Sequence, residues 1–145
     1  MADAILYHRD FVVYGGDFNK AGEVSAQIKT ILLGVGINSD IIRRVAIATF
    51  EAEMNVVIHA DRGMIDFQLT PSDICIIVID KGKGIENIEL AMQEGYSTAS
   101  DAMREMGFGA GMGLPNIKRN SDEFKIESEV GVGTSLWITI RHKKS

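Results

Sequence analysis

ICIIVIDKGKGI, residues 74–85, decides how the rest of the chain is read. An unbroken apolar run, Ile74 to Ile79, leads straight into Asp80, and Gly82 and Gly84 follow. A short run rich in β-branched residues is a strand, and apolar residues at every position predict a central strand covered by other elements. A carboxylate at the end of such a strand costs free energy unless a donor meets it. An exocyclic amine such as that of adenine is a donor of the right kind. Gly82 and Gly84 would let a flat ring lie against bare backbone, where any Cβ would intrude. A tight turn after a strand would use the same residues, so both readings stay open at this point.

Upstream, Gly63 to Thr70 reads as a strand, and Pro71-Ser72-Asp73 turns it into the apolar run, which predicts a hairpin. Residues 4–14 form a first strand that Gly15-Gly16-Asp17 breaks. Asp17 or Asn19 can cap a helix carrying Ala21, Val24, Ile28, Ile31 and Leu32, which Gly34 and Gly36 end. Asn38-Ser39-Asp40 caps a longer helix through about Ala60. Downstream, a short helix follows Asn87, and residues 93–112 are irregular and rich in small residues. Pro115 suits the first turn of another helix, ending near Asn120. FKIES and TSLWITIRH close the chain as two strands. The economical fold is α+β: a two-layer sandwich of one mixed sheet with its helices on one face, a single domain over residues 1–145.

Composition narrows the function. The net charge is −5, which disfavours nonspecific attraction to nucleic acid or acidic membrane. One cysteine, Cys75, cannot make an internal disulfide, and no Cys/His spacing of a metal site appears. No apolar run approaches the ~20 residues of a membrane span. The expectation is a cytoplasmic protein without membrane or direct nucleic-acid partners.

On the long helix, Ile41, Val45, Ala48, Ala52 and Val56 form one apolar stripe. Glu51, Asn55 and His59, each four residues on, make a row beside it. A solvated helix edge would look the same. Gly107, Gly109, Gly111 and Gly113 alternate just ahead of the helix at Pro115. Successive backbone N–H groups joined to a helix N-terminus make an anion site, and a flexible surface loop is the competing reading. A loop of this length in a compact domain is more often a lid than an accident. No G-x-x-x-x-G-K-[ST] is present, and no strict G-x-G-x-x-G opens a helix.

Taken together, FEAEMNVVIHA (50–60), DKGKGI (80–85), GFGAGMGLPNIKR (107–119) and GVGTSLWITI (131–140) resemble the GHKL, or Bergerat-fold, ATP-binding domain. The resemblance runs from about residue 10 to 141 with the motifs in order. Within that superfamily the chain resembles the bacterial anti-sigma factors and the stressosome switch serine kinases. VVIHA after Glu51 and Asn55 is similar to the first form, and EGYSTAS (94–100) and GAGMGLPNIKRNSDEF (109–124) are similar to the second. The stretch Ala99–Met106 departs from the switch-kinase pattern by its length.

The resemblance implies an ATP- and Mg²⁺-dependent serine protein kinase acting on a small STAS-domain partner. It implies that Asn55 binds Mg²⁺ and that Glu51 orients or deprotonates the attacking serine. His59 is implied near the phosphates. Asp80 and Thr134 are implied at the adenine amine, with Gly82, Gly84 and Ile85 flanking the ring. Gly109, Gly111, Gly113 and Leu114 would wrap the phosphates, with Ser97 and Thr98 in the lid. Lys118 and Arg119 are weaker candidates for phosphate or partner contacts, and an exposed first helical turn is the competing place for both. The alternative is a module that sequesters a sigma factor or another regulator, with ATP as a structural ligand. A detached histidine-kinase catalytic domain ranks below both. Relatives of this kind include homodimers, so the resemblance allows one.

Overall fold

A computed structural model of the chain describes residues 4–93 and 113–143. The order is β1 (Tyr7–Tyr14), α1 (Glu23–Gly34), α2 (Ser39–His59), β2 (Ala60–Leu69), β3 (Asp73–Gly82), α3 (Ile88–Ala91), α4 (Gly113–Asn120), β4 (Glu123–Glu129) and β5 (Gly133–Arg141). The expected sequence of elements is therefore present, with β2 starting three residues earlier than Gly63.

The strands form one sheet in the order β1-β2-β3-β5-β4. Every ladder is antiparallel, which corrects the expected mixed sheet. Two causes combine. The short link between α1 and α2 sends the chain out and back, so β2 begins beside the end of β1, with Arg62 opposite Tyr14. At the other edge, β3 and β4 run in the same direction, but β5 inserts between them and pairs antiparallel with both.

Alternation along the strands decides which face is buried. Ile74, Ile76 and Val78 of β3 are at most 1% exposed, whereas Ile79 is 54% exposed. The apolar run is thus central in the sheet and covered, on one face only. An antiparallel sheet tolerates one open face. The helices lie over the other, and Val45, Ala48, Ala52 and Val56 of α2 are 0% exposed against it. Ile41, at the start of the expected stripe, is half-buried.

The two long helices start differently. Asn38 caps α2 through its side chain, which accepts from Asp40 N–H at 2.8 Å. At α1 the expected Asp17 or Asn19 cap is absent, and Gly22 occupies the cap with φ 96° and no side-chain bond. The Glu53 carboxylate from α2 takes its place. It accepts from the N–H groups of Gly22, Val24 and Ser25 at 3.0, 3.2 and 3.2 Å. Three N–H donors and the positive helix end partly offset the desolvation of a carboxylate that is only 2% exposed, and burial still holds its pKa above the ordinary range.

Candidate functional site

α2 and α4 build the first half of the site. Glu51, Asn55 and His59 lie along one half-buried rim of α2, as their spacing predicts. Gly113, the first residue of α4, packs so close that a Cβ there would sit 3.3 Å from Glu51 Oε2. A carboxylate therefore faces the N-terminal end of a helix, where backbone N–H groups concentrate. Burial pushes the Glu51 carboxyl above its ordinary range, and a hydrogen bond from Asn116 partly opposes that rise. Such a group suits proton transfer nearer neutral pH. His59 is shifted the other way: burial lowers its pKa, and the Lys83 charge adds to the effect. Its ring is biased to the neutral form.

β3, β5 and β4 build the second half. Asp80 shares the helix-covered face of β3 with Ile74, Ile76 and Val78. It is 9% exposed, and its Oδ1 accepts from Thr134 N–H at 3.1 Å. Burial raises its pKa and that bond partly lowers it. Thr134 is 4% exposed, and its hydroxyl lies 2.8 Å from Ser128 Oγ on β4. Across from Asp80 on β2 stands Gly63, where a Cβ would lie 3.0 Å from both Val56 methyl groups and 3.2 Å from Asp80 Cβ, so its bareness lets α2 pack closely beside Asp80.

The glycines after β3 serve a different purpose from the one expected. A Cβ on Gly82 would lie 2.8 Å from the His59 carbonyl oxygen, and one on Gly84 would collide with the Glu129 carbonyl. Gly84 also has φ 77°, which disfavours other residues. Their bareness lets the chain close against the end of α2 and against the β4–β5 turn, rather than open a flat shelf for a ring. Ile85 follows with its N–H bonded to Ser128 Oγ at 2.8 Å.

Leu114 contributes to the site through its backbone alone. It is 8% exposed and its side chain joins the core, so only its backbone in the first turn of α4 is available to an anion. Lys118 and Arg119 fall on the last turn of α4, not the first, at the negative end of the helix dipole. Arg119 donates to Asn116 Oδ1 at 3.0 Å. Ser97, Thr98, Gly107, Gly109 and Gly111 lie outside the described residues. Asn116 and Ser128 are the contributors that sequence reading missed. Asn116 stands one turn after Gly113 in the glycine-rich motif, a signal that could have found it.

Two further features adjoin this frame. A groove of about 370 Å³ runs between α1 and α2, with Ser25 and Lys29 on one side and Phe50 and Glu51 on the other. It is open, and Glu51 belongs to both the groove and the site. On the sheet's other face, His8 Nε2 lies 2.7 Å from Asp66 and 3.2 Å from Asp10. Asp10 and Asp66 are register partners on β1 and β2, so the imidazole sits between two like charges that would otherwise repel. Among the described residues, no helix is long and apolar enough to cross a membrane.

The chain is 33% identical over 97 residues to the serine/threonine-protein kinase RsbT of Bacillus subtilis, an alignment covering 64% of this chain and 67% of that one. It is 38% identical over 97 residues to the anti-sigma F factor of Caldanaerobacter subterraneus subsp. tengcongensis, covering 63% and 64%. The match thus spans about two thirds of these relatives' length. Among solved structures, the RsbU and RsbW domains of Rv1364c from Mycobacterium tuberculosis superpose with a TM-score of 0.63 at 18% identity, covering 94% of this chain and 33% of that one. This likeness establishes the shared fold. Residues 34–144 match the family described as histidine kinase-, DNA gyrase B- and HSP90-like ATPase, and the chain belongs to it.

Proposed function

We propose that residues 1–145 form one ATP-dependent serine kinase domain that phosphorylates a partner protein. The observation that carries this reading is the placement of Glu51. Its carboxylate faces the N-terminus of α4, has a pKa raised by burial, and also lines the groove between α1 and α2. Phosphates at the helix end and a protein hydroxyl arriving along the groove would meet at that carboxylate. The names of the relatives support the same reading, since one is a serine/threonine-protein kinase and another an anti-sigma factor.

In the reaction, Glu51 takes the proton of the acceptor serine. The serine oxygen forms a bond to the γ-phosphorus, and the bond from that phosphorus to its bridging oxygen breaks, leaving ADP. Asp80 accepts from the adenine amine, with Thr134 beside it. Gly82, Gly84 and Ile85 hold the loop that borders the ring. Gly113 supplies a backbone N–H to the phosphates, and the resemblance adds Gly109, Gly111, Ser97 and Thr98 to the ATP-binding set. Mg²⁺ would be held by the Asn55 side-chain oxygen. A hard oxygen donor on a half-buried rim, one turn from Glu51, fits that ion, which would neutralise phosphate charge.

The partner class that fits the resemblance is a small STAS-domain protein, in the cytoplasm. A second reading, sequestration of a sigma factor or other regulator with ATP as a structural ligand, draws on the anti-sigma relatives and the same groove. Incubation with γ-labelled ATP, Mg²⁺ and purified STAS-domain proteins separates the two. Glu51→Gln should lower transfer by about 10²–10⁴-fold while leaving ATP affinity within about twofold. Transfer at the wild-type rate by Glu51→Gln, or no labelled serine with any partner, would overturn the kinase reading.

A further inference from the structure

We propose that Ser128 sets the nucleotide preference of the site by fixing which way the Thr134 hydroxyl points. This inference rests on the nucleotide site described under the proposed function.

Asp80, Thr134 and Ser128 form one row across β3, β5 and β4, on the helix-covered face of the sheet. Thr134 and Ser128 are direct register partners. Ser128 Oγ has three polar neighbours: Ile85 N–H at 2.8 Å, the Gly133 carbonyl oxygen at 3.1 Å and Thr134 Oγ1 at 2.8 Å. The inventory of protons on these groups leaves one arrangement in which all three contacts are hydrogen bonds. Ile85 N–H can only donate. The Gly133 carbonyl can only accept, so it takes the one proton Ser128 has. Ser128 Oγ must then accept from the Thr134 hydroxyl.

That arrangement spends the Thr134 proton on Ser128. What Thr134 turns toward Asp80 is lone pairs. Asp80 itself offers acceptors when ionised, and its Oδ1 already takes the Thr134 N–H at 3.1 Å. The side chains at the end of β3 therefore present acceptors alone. A 6-amino purine supplies a donor to such a surface. A 6-oxo purine puts an acceptor at that same exocyclic position, where acceptor against acceptor leaves buried polar groups unpaired, and its N1–H recovers a bond to Asp80 only by shifting the ring.

Ser128 touches no nucleotide atom in this account. It is a positioning residue that acts through Thr134, and through the loop carrying Ile85. Without its hydroxyl, the Thr134 O–H loses its acceptor and is free to rotate and donate to a 6-oxo group. Discrimination falls even where overall affinity does not.

The test compares the affinities of ATP and inosine triphosphate by calorimetry, in wild type, Ser128→Ala, Ser128→Thr and Thr134→Val. Wild type should prefer ATP. Ser128→Ala should shrink the ATP-to-inosine preference by about fivefold or more, the size of one neutral hydrogen bond. Ser128→Thr, which keeps the hydroxyl, should restore it. Adding Ser128→Ala to Thr134→Val should change the preference no further, because the hydroxyl being oriented is gone. Equal weakening of both nucleotides in Ser128→Ala, or an unchanged preference, would overturn the inference. If Ser128→Ala does not fold, a change of preference in the Thr134→Val background on adding Ser128→Thr would overturn it instead. A wild-type protein that binds neither nucleotide would instead sink the nucleotide site as a whole.

Discussion

Asp80→Asn separates binding from stability, because the two should move in opposite directions. In the folded chain Oδ1 is committed to Thr134 N–H at 3.1 Å. An asparagine there must keep its carbonyl oxygen on that donor, since its NH₂ would place donor against donor. The NH₂ is then turned to where Oδ2 would receive the adenine amine, and the same clash appears on the ligand side. The loss is therefore the whole charge-assisted bond, about 1.5–3 kcal/mol, or about 10- to 150-fold in ATP affinity. For the free protein the sign reverses. Burial raises the Asp80 pKa above its unfolded value, so near neutral pH the ionised carboxylate opposes folding. The unfolded chain binds fewer protons than the folded one between the two pKa values, and stability falls as pH rises through that window. A neutral amide removes this cost. Calorimetry with ATP and Mg²⁺, beside urea melts at pH 7 without nucleotide, measures both. The expected result is weaker binding with equal or greater stability. Unchanged ATP affinity would refute the placement of the amine, and a large loss of stability would refute the account of Asp80 as a strained carboxylate.

Other expectations follow from the same geometry. Asn116→Ala removes the hydrogen bond that lowers the Glu51 pKa against burial, so that pKa should rise further. A base works deprotonated, so the acid limb of the pH–rate profile for phosphoryl transfer should move to higher pH, and an unmoved limb would count against the pairing. Glu53→Ala should destabilise the fold by about 3 kcal/mol or more, because three N–H groups at the start of α1 lose their acceptor at about 1–3 kcal/mol for each buried group. A urea-melt loss under about 1 kcal/mol would show that water replaces the carboxylate without difficulty.

Much of the site was legible in order along the chain. Glu51, Asn55 and His59 fall on one rim because helical spacing alone puts them there. Asp80 shares the covered face with Ile74 because strand alternation alone requires it. The Asn38 cap and the hairpin at Pro71-Ser72-Asp73 were local patterns too, decided within a few residues. What was not legible involved partners far apart in sequence. Glu53 looks like one more charged residue on α2 until α1 is laid against it, 28 to 31 residues away. Gly82 and Gly84 announce a close approach without saying what approaches. Leu114 sits in a motif that suggests phosphate, yet its side chain is drawn into the core.

Periodicity and motif order, then, settled the α+β class, the helix and strand sequence, and the face on which Glu51 and Asp80 would appear. Those are properties of the backbone repeat, which a linear chain carries in itself. The direction and order of the strands, the acceptor at the start of α1 and the Asp80–Thr134–Ser128 row were decided only in three dimensions. Each depends on which distant segment arrives beside another. A buried donor or acceptor accepts any partner of the right chemistry, so its identity is fixed by packing and not by its neighbours in sequence.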